Sequence, residues 1–65
     1  MKDKEERIKI SREIDVTRAS FEARGLALVL GFSKIQQYEV STAVSELARN
    51  IYRYAMKGEI TIRSL

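Results

Sequence analysis

Two segments with the apolar spacing of amphipathic helices, separated by Gly31, occupy most of this chain and constrain its fold more than any other feature. The first segment predicts a helix over about 16–30, with the apolar stripe Val16, Ala19, Ala23, Leu26 and Leu30. The second predicts a longer helix over about 34–55, with the stripe Val40, Ala43, Val44, Leu47, Ile51 and Tyr54. Ser33 and Gln36 have the spacing of a capping box at the start of this second helix.

Three further residues are expected to shape the first helix. Asp15 has the small side-chain acceptor that can cap a helix N-terminus. Gly31 follows the last periodic residue, where a left-handed conformation commonly ends a helix. Gly25 lies inside the helix, where it costs about 1 kcal/mol relative to alanine. We therefore predict that Gly25 packs closely against another backbone.

Short alternating segments flank the two helices and predict strands. They cover about 7–11, with Ile8 and Ile10 on one face, and about 59–63, with Ile60 and Ile62 on one face. The order is strand, helix, helix, strand, which predicts an α+β fold for residues 1–65 as a single partial domain. Because two strands form a marginal sheet unless something covers them, we expect a homo-oligomer that joins strand edges or exchanges helices.

Composition excludes several classes of site. The 65 residues include no cysteine and no histidine, which excludes disulfides, thiol nucleophiles, imidazole-bound zinc and the Ser-His-Asp triad. The net charge of +3 is compatible with phosphate binding but does not require it. The longest apolar run, 26–30, is too short to span a bilayer, and the charged N-terminus does not resemble a signal peptide. We expect a cytoplasmic protein without a membrane partner.

Glu46 and Asn50 are the residues with the clearest chemical potential. They are one helical turn apart, roughly 40° from each other around the helix axis. We predict that they lie at the margin of the apolar stripe and point into a common groove, away from the packed face of Leu47 and Ile51. An asparagine carbonyl is a hard ligand for Mg²⁺, and a carboxylate can orient or deprotonate a hydroxyl.

Two basic residues near this pair affect the interpretation, one by extending it and the other by weakening it. Arg53 falls on the same predicted helix face and could meet a phosphate. Arg49, in contrast, could form a plain exposed ion pair with Glu46 that has no chemical role.

The residues around this pair resemble a known motif. Residues 45–55, SELARNIYRYA, resemble the N-box of the ATPase superfamily that includes gyrase, histidine kinases and heat-shock chaperones. Residues 43–50, AVSELARN, are similar to the anti-sigma serine/threonine kinases, in particular the switch-protein kinase of the bacterial stressosome. The turn at 30–32 and the segment 52–58 resemble the same kinases.

The resemblance implies the N-terminal portion of a Bergerat-type, histidine-kinase-like ATPase domain. It implies that Asn50 holds Mg²⁺ against a triphosphate and that Glu46 acts on a serine or threonine hydroxyl of a partner. Arg53 would lie near the phosphates, Tyr54 would border the nucleotide, and Arg49 could reach a phosphate. The implied partners are antagonist and scaffold proteins of a partner-switching regulatory system in bacterial stress or sigma-factor control.

The chain also departs from that family. The aspartate-glycine box, the mobile lid and the glycine-rich phosphate segment are not found among these residues, which include only three glycines. We therefore expect Mg²⁺ and ATP to bind the complete protein and not this chain alone.

Two interpretations from other classes of protein function stay open. The first is a ribbon–helix–helix DNA-binding protein, in which Arg7, Lys9 and Ser11 would enter the major groove. The long second helix and the following strand do not fit that fold, so we do not expect a nucleic-acid partner. The second is an interaction module without catalysis, which would use Tyr38, Tyr52 and Tyr54 as interface aromatics.

Overall fold

The computed structural model describes residues 5–63 and has the predicted α+β architecture of strand, helix, helix, strand. The elements are β1 (Glu5–Ile10), α1 (Ile14–Val29), α2 (Lys34–Asn50), a π-helical turn (Ile51–Ala55) and β2 (Gly58–Arg63). The prediction of an α+β fold class is confirmed. The α-helical part of the second helix ends five residues earlier than the predicted 55, because the chain continues there as the π turn. Within residues 5–63, no helix is long and apolar enough to cross a membrane.

The two strands form an antiparallel sheet with Ile8 opposite Ile60 and Glu5 opposite Arg63. Ile8, Ile10 and Ile60 are buried in one core cluster with residues of both helices, whereas the alternate positions of the strands are mainly exposed and charged. On the exposed side the Glu5 carboxylate lies 2.8 Å from Arg7 and 3.0 Å from Arg63. Hydrogen bonds from these two guanidinium groups lower the pKa of Glu5. The sheet therefore has one apolar face against the helices and one polar face.

The two helices pack against each other through small side chains. On α1 the buried apolar residues are Val16, Ala19, Ala23 and Ala27, and on α2 they are Val44 and Ala48. The predicted stripe on α1 is correct at its first three positions, but Ala27 is buried while Leu26 and Leu30 are only half-buried. Small residues at the contact leave the larger apolar side chains at its edges.

The buried face of α2 differs from the predicted stripe. Gln37, Val44 and Ala48 are buried, whereas Leu47 is 49% exposed and Tyr54 is 76% exposed. Ala43 is also exposed. At about 100° per residue, Leu47 lies roughly 80° from the midpoint of Val44 and Ala48, so the core face is rotated away from the predicted one. The predicted packing of Leu47 is therefore wrong: alanine occupies the interhelical contact and leucine its edge.

Asp15 does not cap α1 as predicted. Glu13 occupies the N-cap position and makes no side-chain cap hydrogen bond. Asp15 lies inside the first turn and is only 3% exposed. Its carboxylate accepts hydrogen bonds from the backbone N–H groups of Ser11 and Arg12, both at 3.0 Å, and lies 3.4 Å from Arg18. Asp15 thus ties the end of β1 to the start of α1, and the two backbone N–H groups lower its pKa.

The turn between the helices follows the sequence closely. Gly31 has the predicted left-handed conformation, with a φ of 86°. The capping box is confirmed: the Gln36 backbone N–H donates to Ser33 Oγ at 3.1 Å, and the Ser33 N–H donates to Gln36 Oε1 at 2.9 Å. The buried Gln37 amide donates to the Phe32 carbonyl at 2.9 Å, which fixes the turn against α2.

Gly25 does not contact another backbone. It is exposed, and a Cβ atom built at this position meets no atom within 4 Å other than its chain neighbours and the backbone of its own helix. The prediction of close packing at Gly25 is therefore wrong within the part of the chain that the structure describes.

Candidate functional site

Helix α2 carries Glu46 and Asn50 on its outer side, and both residues are exposed. Taking about 100° per residue, Glu46 lies roughly opposite the midpoint of the buried Val44 and Ala48, and Asn50 lies about 140° from that midpoint. The prediction that the pair sits at the margin of the core face is wrong, because that face is centred between Val44 and Ala48 rather than near Leu47. Both side chains are consequently available to a ligand that approaches α2 from outside the core.

An open polar groove of about 290 Å³ lies beside Glu46 on the surface shared by α1 and α2. It is lined by four hydroxyl side chains and two charged ones: Ser20, Ser41, Thr42, Ser45, Glu46 and Arg49. Asn50 is not among the lining residues, so this groove does not unite the predicted pair. It brings Glu46 together with Arg49.

The hydroxyl groups of this groove differ in what they can offer a ligand. Ser20 Oγ donates to the Thr17 carbonyl at 2.9 Å, and Ser41 Oγ donates to the Tyr38 carbonyl at 3.0 Å. These two hydroxyls present oxygen lone pairs to the groove. Within residues 5–63, Thr42 and Ser45 form no side-chain hydrogen bond, so they can both donate and accept.

Sequence reasoning missed these four hydroxyl residues. Ser41 and Ser45 are one helical turn apart and Thr42 is adjacent, so their spacing contained a signal for a polar side of α2. Ser20 belongs to α1, and only the packing of the two helices places it beside them.

The charged residues of the groove are not paired with each other. Among the described residues no ion pair joins Glu46 to Arg49, in contrast to the exposed pair that was considered as an alternative. Their charges therefore remain available to groups that enter the groove.

The oxygen donors near Glu46 and Asn50 are too few to hold a magnesium ion by themselves. The described residues contain no group of three or more acidic side chains that could hold a metal ion. Asn50 offers one amide oxygen, and Mg²⁺ commonly takes few protein ligands and completes its shell with phosphates and waters. The residues therefore fit an ion that arrives with a triphosphate, and they do not form a cage for a resident ion.

The π turn changes the placement of Arg53 and Tyr54. The expectation that Arg53 shares the face of Glu46 and Asn50 rests on 3.6 residues per turn, whereas a π-helix bonds residue i to residue i+5. That spacing ends where the π turn begins, at Ile51. Arg53 and Tyr54 are both exposed and line no part of the groove.

The first residues of the π turn pack against the core, and the segment ends in a left-handed backbone conformation. Ile51 and Tyr52 are half-buried and pack against the core. The segment ends at Met56, which has a left-handed φ of 69°. Single π turns inside helices occur frequently at functional sites.

Comparison with known proteins relates this chain to a kinase. It is 45% identical over 58 residues to the serine/threonine-protein kinase RsbT of Bacillus subtilis (strain 168). The predicted family resemblance is confirmed. The similarity covers 89% of this chain and 44% of the kinase, so the chain spans less than half the length of that relative. No protein-family model matches the chain, and no solved structure matches it.

Proposed function

We propose that this chain supplies the metal-ligand and general-base helix of an ATP-dependent serine/threonine protein kinase. The substrate would be an antagonist protein of a partner-switching system that controls sigma factors or the bacterial stress response. The observation that supports the proposal is the 45% identity to a serine/threonine-protein kinase over 58 of the 65 residues. A match over 58 of the 65 residues includes the positions of both Glu46 and Asn50, and both side chains are exposed.

The exposed residues of α2 and of the π turn suit different parts of phosphoryl transfer. The Asn50 carbonyl oxygen would hold Mg²⁺, which when bound neutralises charge on the transferring phosphoryl group. The Glu46 carboxylate would orient the acceptor hydroxyl and accept its proton. Arg53 could meet a phosphate, and Tyr54 could border the nucleotide. Arg49, which lines the groove beside Glu46, could also reach a phosphate.

The 65 residues alone should bind neither Mg²⁺ nor ATP with useful affinity. One amide oxygen and one carboxylate replace little of the hydration of a magnesium triphosphate. Adenine recognition and a phosphate-binding backbone segment would have to come from other residues of a complete kinase.

Partner phosphorylation by the complete protein tests this proposal. Asn50→Ala should abolish transfer, and Glu46→Ala should slow it while nucleotide binding stays close to wild type. Glu39→Ala is a matched control, because Glu39 is an exposed glutamate of the same helix outside the groove. Equal transfer rates for the wild type and all three variants would remove Glu46 and Asn50 from the mechanism.

The DNA-binding alternative is not favoured by the strand pairing. A ribbon–helix–helix protein pairs its strand with that of a second chain, whereas β1 pairs with β2 of the same chain. The Arg7 side chain, which would read bases in that alternative, is held by Glu5 at 2.8 Å.

Self-association or partner binding is favoured by the apolar surface. Several large apolar side chains are more than 60% exposed: Ile14, Phe21, Leu28, Val29, Ile35, Tyr38, Tyr54 and Met56. Such exposure is commonly reduced by a partner. We therefore retain the homo-oligomer as part of the proposal, together with antagonist and scaffold proteins as partners.

A further inference from the structure

We propose that the groove of Ser20, Ser41, Thr42, Ser45, Glu46 and Arg49 binds the acceptor segment of the partner protein, and that Arg49 selects an acidic residue beside the acceptor hydroxyl. The proposal rests on the kinase function proposed above and deepens it by naming the side of α2 from which the acceptor arrives. The chemical class of ligand is an extended, acidic, serine- or threonine-bearing polypeptide segment.

The order of residues around α2 supports this assignment. At about 100° per residue, Arg49 lies roughly 60° from Glu46 on one side, and Asn50 lies roughly 40° from Glu46 on the other. Glu46 therefore separates the groove from Asn50. In phosphoryl transfer the attacking and leaving oxygens lie roughly in line on opposite sides of the phosphorus atom. A base with the acceptor on one side and the nucleotide on the other satisfies that requirement.

The lining of the groove suits a polypeptide backbone. The oxygens of Ser20 and Ser41 can accept backbone N–H groups, because their own hydrogens are bonded to carbonyls of the preceding helical turn. Thr42 and Ser45 can bond a carbonyl or an N–H group. The groove is polar and open, so a segment can lie along it without burying unpaired polar groups.

Charge gives the groove its selectivity. Within residues 5–63, Arg49 is the one basic side chain that lines the groove, and it forms no ion pair there. Because a guanidinium group binds carboxylates bidentately, an aspartate or glutamate near the acceptor would bind there. The negative charge of Glu46 then faces the neutral hydroxyl of the acceptor and not its acidic neighbour.

The chemical step uses only groups already named. The acceptor O–H proton passes to the Glu46 carboxylate, and the acceptor oxygen forms a bond to the γ-phosphorus of ATP. The bond between that phosphorus and the bridging oxygen breaks, and ADP leaves with its electron pair. The other five groove residues position the segment, and Glu46 is the catalytic residue.

Peptide binding to the 65-residue chain tests the proposal without nucleotide. Two synthetic peptides of equal length would be titrated by NMR, both with a central serine, one flanked by aspartates and the other by lysines. The acidic peptide should shift the amide signals of Ser41, Ser45 and Arg49 and should bind more tightly than the basic one. Arg49→Glu should lower the affinity for the acidic peptide by about fivefold or more, because it replaces an exposed attraction between Arg49 and the peptide carboxylates by a repulsion.

Two further variants make the test decisive. Lys57→Glu produces the same change of net charge at an exposed position outside the groove, and it should change the affinity little. Arg49→Gln should have an effect of intermediate size. Equal weakening by Arg49→Glu and Lys57→Glu would overturn the proposal, as would failure of the acidic peptide to bind. Because no ATP is present, either outcome leaves the proposed roles of Glu46 and Asn50 intact, and loss of those roles would leave the docking result intact.

Discussion

Replacing Gly25 by alanine should stabilise this chain, although the sequence first suggested that Gly25 is needed for packing. Gly25 is an exposed residue inside α1, and a Cβ atom there would meet nothing within 4 Å beyond its own helical backbone and chain neighbours. The substitution therefore changes only the backbone preference. Glycine is about 0.8–1 kcal/mol less favourable than alanine in a helix interior, so the free energy of unfolding should rise by about that amount.

Gly58 offers the same substitution with the opposite expectation. A Cβ atom at Gly58 would lie 2.8 Å from Cγ2 of Ile51, which is too close for a real contact. Because isoleucine is β-branched, this methyl group cannot move away without a change of χ1. Overpacking of this kind costs about 1–3 kcal/mol, so Gly58→Ala should lower the free energy of unfolding.

Thermal unfolding followed by far-UV circular dichroism measures both effects in one experiment. In a domain of this size, 1 kcal/mol corresponds to a change in Tm of about 4–8 °C. Gly25→Ala should therefore raise Tm by about that interval, and Gly58→Ala should lower it by at least as much. A Tm for Gly25→Ala at or below that of the wild type would show that the outer side of α1 is covered in solution, and it would refute the reasoning.

Two further stability predictions and one on self-association rest on the same structure. Asp15 has a lowered pKa in the folded chain, so its contribution is present at neutral pH and is lost as the pH falls below about 4. Asp15→Asn should thus lower the urea midpoint at pH 7 and reduce its fall between pH 5 and pH 3. Ile10 is fully buried, so Ile10→Ala should lower the free energy of unfolding by about 2–5 kcal/mol. A loss of that size is comparable to the whole stability of a chain this short, and chemical denaturation would measure it. Self-association should appear as a dimer in sedimentation at micromolar concentration, and a well-folded monomer would contradict it.

Local rules account for the parts of the fold that the sequence predicted correctly. Alternation at Ile8 and Ile10 indicated β1, the Ser33–Gln36 box marked the start of α2, and Gly31 marked the turn. Each of these signals depends on neighbours within a few residues. They are readable before any tertiary contact is known.

The remaining features depend on contacts between elements. The buried face of α2 was misassigned because leucine is the more apolar residue, whereas the close contact between the two helices admits Ala48 and leaves Leu47 at its edge. The role of Asp15 depends on the path of the chain between β1 and α1, which brings the backbone N–H groups of Ser11 and Arg12 to its carboxylate. The π turn has no simple periodic signature, so a constant 3.6-residue spacing was extended through it.

The position of the buried face of α2 also determines which parts of the protein can enclose a ligand at Glu46. Had Leu47 been central to the packing, Glu46 would have bordered the core, and a ligand could have been enclosed between α2 and this chain's own sheet. The observed packing places Glu46 on the opposite side of α2, with Asn50 on the same outer surface. Any nucleotide held there must be enclosed by structure that lies outside α2, whether further chain of a complete kinase or another molecule. In the proposed mechanism, this outward placement of Glu46 and Asn50 lets the acceptor and the nucleotide reach Glu46 from different directions.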